Sequence, residues 1–110
     1  MTKQIENITR YAEVSEKVIE RYLVDSVKEL GGFCLKYHNA NMVGFPDRIC
    51  VMPNGYTMWV ELKSKDGKLS TMQQHRINQL LRLGHAVYVC NSKQSVDAVL
   101  EPLKLFRRDI

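Results

Sequence analysis

DRICVMPNGYTMWVELK, residues 47–63, holds two β-branched and aromatic-rich runs on either side of Pro53-Asn54-Gly55. Such runs broken by turn residues read as a β-hairpin. A three-residue loop of type I geometry takes Pro first, accepts Asn next and needs positive φ third, which Gly55 supplies at little steric cost. Met52 then pairs with Tyr56, and counting outward brings Asp47 opposite Glu61. Directly opposed residues share one face of the sheet. Lys63, two residues past Glu61, returns to that face. A register slip of one residue would send the two carboxylates to opposite faces, so the reading stands or falls on this turn.

An Asp, a Glu and a Lys therefore converge. Like charges directly opposite one another are destabilising, and a purely structural hairpin has little reason to place Asp across from Glu. A divalent cation removes the conflict: hard cations such as Mg²⁺ take carboxylate oxygens and keep waters that can attack an ester. Lys63 can hold such a water or stabilise charge developing on a phosphate. Glu61-Leu62-Lys63 alone would read as a solvated ion pair on a strand. Pro46-Asp47, preceded by Gly44-Phe45, turns the balance toward chemistry.

Outward from the hairpin, Ile19, Leu23, Val27 and Leu30 carry an amphipathic helical period from about Val14 to Leu30, stopped by Gly31-Gly32. Residues 1–12 read as a polar tail. Phe33 to His38 alternates as a first strand, and Asn39 to Phe45 is a loop into the hairpin. Ser64 to Leu69 is a basic loop. Ser70 begins a helix that runs to about Leu83 and ends at Gly84. Ala86 to Cys90 is short and apolar enough for an interior strand, and a final helix near Gln94 to Leu100 meets Pro102. The order is αβββαβα, an α/β chain without internal repeat or interdomain linker.

The chain has 110 residues, 45% of them hydrophobic, which suits one domain with a single core. Its formal net charge of +4, from 16 Lys and Arg against 12 acids, suits a polyanionic partner without demanding one. Cys34, Cys50 and Cys90 fall in predicted strands at unrelated spacings, which argues against a disulfide framework or zinc knuckle and for a reducing cytosol. No segment has the pattern of a signal peptide or the length of a membrane span, so export and membrane insertion are not expected. His38, His75 and His85 show no metal-binding spacing and read as ordinary surface or interface residues, although His75 lies near Gln73.

Gly44-Phe45-Pro46-Asp47, Glu61-Leu62-Lys63, Gly67-Lys68-Leu69-Ser70, Gln73 and Gly84-His85-Ala86-Val87-Tyr88-Val89 occur in an order and spacing that resembles the PD-(D/E)xK nuclease superfamily. Within it, the chain is similar to the virus-type replication-repair nuclease (VRR-NUC) domain, over most of its length. The resemblance implies a restriction-endonuclease-like αβββαβ core, a central mixed sheet flanked by helices, here with a short C-terminal helix. It implies phosphodiester hydrolysis with Mg²⁺ or Mn²⁺. Asp47, Glu61 and the backbone carbonyl of Leu62 would hold the metal, Lys63 would position or activate water, and Gln73 would support the site. The family also expects a glutamate on the first helix: Glu20 is preferred, and Glu16, one turn earlier on the same face, competes with it.

Gln73 has a second reading, because Ser70-Thr71-Met72-Gln73 is also a capping box. Lys65, Lys68, Arg76 and Arg82 flank the site and are candidates to grip phosphates, or else form a solvated helical face. Trp59 shares the period of Glu61 and Lys63 and is read as packing. The expected activity is a stand-alone, phage-type, structure-selective DNA endonuclease, acting on branched DNA in a bacterial host and resolving Holliday junctions as a homodimer. Two matched cuts fit a two-fold dimer with two identical sites. Leu103, Leu105 and Phe106 offer a dimer surface or else close the core. The competing readings are a flap, nicking or general duplex endonuclease, an RNA-processing nuclease, and a catalytically silent DNA-binding module.

Overall fold

A computed structural model describes residues 3–107, with side chains described from residue 15 to residue 105. The elements are α1 (Lys3–Glu29), β1 (Phe33–Lys36), β2 (Arg48–Val51), β3 (Thr57–Leu62), α2 (Thr71–Arg82), β4 (Ala86–Cys90), α3 (Lys93–Leu100) and α4 (Lys104–Arg107). The sheet order is β1-β2-β3-β4, with the first two pairings antiparallel and β3–β4 parallel. This is the mixed α/β architecture expected of the restriction-endonuclease-like core.

The hairpin register is the expected one. Arg48 pairs with Val60, Ile49 with Trp59, Cys50 with Met58 and Val51 with Thr57, so the next step outward sets Asp47 across from Glu61. At the turn, Met52 N donates to Tyr56 O at 2.8 Å. The turn itself differs from the expected type I loop: both Asn54 (φ 64) and Gly55 (φ 74) are left-handed. Asn and Gly are the residues that tolerate positive φ best, and a turn with both central residues there matches the twist of the flanking strands. The register survives because it depends on loop length, which is unchanged.

One face of the sheet packs on α1 and α3. Cys50, Met58, Val60, Leu62 and Cys90 meet Ile19, Leu23, Val27, Val96 and Leu100, all at most 5% exposed. Each buried aliphatic of this size contributes about 1.5–3 kcal/mol of transfer free energy. The opposite face carries Asp47, Ile49, Trp59 and Glu61 by strand alternation, and α2 crosses it. Both long helices end where expected. Gly31 N donates to Lys28 O and Gly32 N to Val27 O, and the same paired pattern recurs from Gly84 and His85 to Leu81 and Leu80, each at 3.0 Å. This is the Schellman closure that a glycine with positive φ permits.

Two expectations are corrected. The first helix begins at Lys3 rather than near Val14, so helical backbone covers most of the stretch read as a tail. β4 is an edge strand, hydrogen-bonded only to β3, with Tyr88 37% and Val89 42% exposed. It reads as interior because α2 and α3 pack against it and demand an apolar strand. Cys34, Cys50 and Cys90 lie in strands as expected, the first two directly paired with thiols 3.7 Å apart. Among the described residues no helix is long and apolar enough to cross a membrane.

Candidate active site at the open end of the hairpin

Asp47 and Glu61 meet where β2 begins and β3 ends. Pro46 is fully buried and seats Asp47, whose Oδ2 accepts a hydrogen bond from Leu62 N at 3.3 Å. The Tyr37 amide, just past the end of β1, donates to the Asp47 carbonyl at 2.8 Å and fixes the same residue. Glu61 is 2% exposed and is the buried charged residue of the described core. Among the described residues its Oε1 has no hydrogen-bonding partner, whereas Oε2 accepts from Gln73 Nε2 at 3.3 Å and lies 3.7 Å from Lys63 Nζ.

These surroundings oppose ionisation. Burial first, then the facing Asp47 carboxylate, push the Glu61 carboxyl up to about 8; Lys63 relieves part of the strain and Glu16 adds to it. A buried, half-satisfied carboxylate beside a second acid is costly to maintain unless a cation shares the space.

Gln73 makes the contacts of both readings, the helix cap and a hydrogen bond to Glu61. Its Oε1 accepts from Ser70 N at 2.9 Å and its own amide donates to Ser70 Oγ at 3.1 Å, closing the capping box. Its Nε2 is left to hold Glu61. The cap thereby fixes the rotamer that reaches the site, and the positive end of the α2 dipole faces the carboxylates.

The first helix contributes both of its candidate glutamates to one cleft of about 420 Å³, lined by Glu16, Glu20, Lys36, Tyr37, His38, Asp47 and Leu62. They are not equivalent there. Glu20 Oε2 is 3.1 Å from Arg48 Nε, in a pair largely withdrawn from solvent, while the field of Glu16 reaches Glu61. Arg48 is a partner that the sequence reading passed over. Its signal is present: Arg48, Cys50 and Met52 alternate onto the α1 face, and a cation there needs an acid on that helix. Three larger cavities, about 430, 600 and 770 Å³, have no buried carboxylate among the described residues on their walls.

Among the described residues, no three His, Cys, Asp or Glu side chains stand together as a metal cage. The protein donors at this point are a carboxylate pair beside the Leu62 backbone. That set, with an orphaned buried oxygen, fits a hard cation that keeps several waters.

The basic candidates separate. Lys65 and Lys68 are exposed on the loop between β3 and α2. Arg76 is occupied: Nε donates to Val43 O at 2.9 Å, Nη1 to Gln79 Oε1 at 3.0 Å, and the guanidinium lies 5.2 Å over the Phe45 ring. Arg82 donates to Asn78 O within its own helix. Phe45 continues into a ring cluster with Tyr37 and Trp59, whose centroids are 5.2–5.9 Å apart, so Trp59 packs as expected. His38, His75 and His85 are exposed. Leu103 packs against the core, Leu105 is 62% exposed, and the Phe106 side chain lies outside those described.

The VRR-NUC domain family model matches residues 6–94. Putative nuclease p44 of Acyrthosiphon pisum secondary endosymbiont phage 1 is 34% identical over 87 residues, spanning 79% of this chain and 92% of that protein. A solved structure described as a VRR_NUC domain superposes with a TM-score of 0.75 at 26% identity, over 79% of this chain and 95% of the other.

Proposed function

This chain belongs to the VRR-NUC domain family, a nuclease family, and on that premise we propose that it is a Mg²⁺- or Mn²⁺-dependent, structure-selective DNA endonuclease. The observation that carries the metal dependence is Glu61 Oε1, buried and without a hydrogen-bond partner among the described residues, beside the Asp47 carboxylate. Asp47, Glu61 and the Leu62 carbonyl would hold the cation, with Glu16 facing it from α1. We assign the α1 role to Glu16, which lines the same cleft as Asp47 and whose field reaches Glu61, whereas Glu20 is paired with Arg48.

A bound divalent cation supplies charge neutralisation at the phosphate and a more acidic water. The chain's residues supply the positioning. Lys63, 3.7 Å from Glu61 Oε2, would orient the attacking water or meet negative charge growing on the phosphate. Gln73 holds Glu61 in place from a capped helix, and Asp47 is held through the Leu62 amide. Lys65 and Lys68 bind flanking phosphates.

The substrate reading is branched DNA, with Holliday-junction resolution by a homodimer, since matched cuts call for two sites related by a two-fold axis. Exposed apolar residues on β1 and β2, Phe33 at 68%, Leu35 at 51% and Val51 at 40%, are surface available for self-association. The test uses end-labelled four-way junction, flap, splayed arm and duplex with Mg²⁺, Mn²⁺ or EDTA, alongside Glu61→Gln. Symmetric cuts confined to the junction and lost in the variant are expected. Cutting of flaps or all duplexes retains the nuclease and discards resolution, and binding without cutting favours a silent module.

A further inference from the structure

Residues 39–45, Asn-Ala-Asn-Met-Val-Gly-Phe, form the loop that enters the site, and its tip is apolar and exposed. Met42 is 46% and Val43 58% accessible. Exposed apolar side chains taken singly need no explanation. These two are adjacent, and the loop that presents them is fixed from several sides.

Asn39 Oδ1 accepts from the amides of Asn41 and Met42, both at 3.0 Å, and its Nδ2 donates to the Tyr37 hydroxyl at 3.1 Å. Arg76 holds the Val43 carbonyl and covers Phe45. Gly44 sits at φ +95 against α2, where an added Cβ would lie 2.6 Å from Met72 Cγ. The tip is therefore preorganised in an exposed position.

Its location gives the exposure a use. Met42 and Val43 line a cavity of about 140 Å³ together with His38 and Asp47. A nucleic acid strand that reaches Asp47 reaches the tip as well. The tip carries no cation, so it does not match a phosphate. The broad apolar surface a nucleic acid can offer is the face of a base, and in continuous duplex that face is stacked against its neighbours. It becomes available at branches, nicks and frayed ends.

We propose that Met42 and Val43 form an apolar wedge that packs on the exposed base face at an interruption of stacking, and so select branched or frayed DNA over continuous duplex; this rests on the nuclease reading above. Side chains that insert at base steps in other DNA-binding proteins are of this apolar kind.

The test compares Met42→Ser/Val43→Ser with the conservative Met42→Leu/Val43→Ile in the full chain. The first readout is the ratio of affinity for a four-way junction to that for a duplex of the same labelled strand. The second is the fluorescence of 2-aminopurine at the branch, with both tip variants also made in a Glu61→Gln background so that binding is seen without cutting. The Ser variant is expected to lower the ratio roughly tenfold, the scale of losing small apolar contacts at a recognition site, and to lose the fluorescence rise. The Leu/Ile variant should keep both. An unchanged ratio and fluorescence rise in the Ser variant overturn the wedge while leaving the nuclease intact. Dissociation of a dimer by the Ser variant overturns it in favour of a protein interface. If the unsubstituted chain cuts nothing, the nuclease reading fails, and fluorescence still decides the wedge; binding to no DNA overturns both.

Discussion

Arg48 Nε lies 3.1 Å from Glu20 Oε2, and Arg48 Nη1 donates to the Cys34 carbonyl at 3.2 Å, so the residue after Asp47 fastens α1 to the edge of the sheet. The pair occupies Glu20 and ties α1 to the sheet, while Glu16, one turn earlier, lines the same cleft. Glu16→Gln should lower cleavage at least about tenfold with little change in stability, since a site-facing acid affects the transition state more than the fold. Glu20→Gln should do the reverse, costing about 1–3 kcal/mol by leaving Arg48 without its charged partner. Cleavage rates beside urea melts of both variants check this. Loss of activity in Glu20→Gln at unchanged stability would return the role to Glu20.

Glu61 makes the metal-free protein sensitive to pH. Its carboxyl is raised from an ordinary value near 4.5 to about 8 in the fold, chiefly by burial and by Asp47. Between those values the folded chain holds a proton that the unfolded chain has released, so stability falls as pH rises through that window and levels off above it. Melting in EDTA at pH 5, 7 and 9 should show this decline, Glu61→Gln should flatten it, and Mg²⁺ should restore stability at pH 9. A flat profile in the unsubstituted protein would mean that water or rearrangement already satisfies Glu61.

The convergence of Asp47 with Glu61 was readable in the sequence because strand alternation and loop length alone determine it, whichever signs φ takes at Asn54. The pairing of Glu20 was not. Glu16 and Glu20 share a helix face, and what distinguishes them in the fold is Arg48, a contact between residues 28 apart in the chain. The apolar run of β4 likewise reports that helices cover it, which is true of this edge strand and of an interior one alike. Arg76 shows the same limit. Its charge suggested phosphate, while its carbonyl partner at Val43 is visible only once the loop is folded.

Gln73 couples a helix cap to the site, and the two roles can be separated. Ser70→Ala removes the cap oxygen and should cost about 1 kcal/mol, with most of the cleavage rate retained. Gln73→Ala removes the cap and the hydrogen bond to Glu61 together and should lose both stability and rate. Thermal melts paired with kcat/KM for each variant provide the check, and equal rate losses in the two would assign Gln73 to helix capping alone.

Lys63 stands 3.7 Å from Glu61 Oε2 at the rim of the carboxylate pair. If it acts on the water or the phosphate, Lys63→Ala should slow cleavage by roughly 10²–10³, the loss typical of one transition-state donor. Metal affinity, measured by calorimetry on the protein without DNA, should change far less. A comparable loss of metal binding would make Lys63 a counter-charge that maintains the site.

The basic residues should divide by their partners. Lys65 and Lys68 are exposed on the loop between β3 and α2, so replacing either with Ala should weaken binding to all DNA shapes alike and reduce the slope of log affinity against log salt by about one. Arg76 is spent on Val43, Gln79 and Phe45. Arg76→Ala should therefore leave that slope unchanged and act through the loop, lowering the preference for branched DNA by loosening Met42 and Val43. Titrations over a range of salt, with splayed arm and duplex in parallel, distinguish the two effects. A reduced slope for Arg76→Ala would show that the guanidinium leaves the loop for a phosphate when DNA binds.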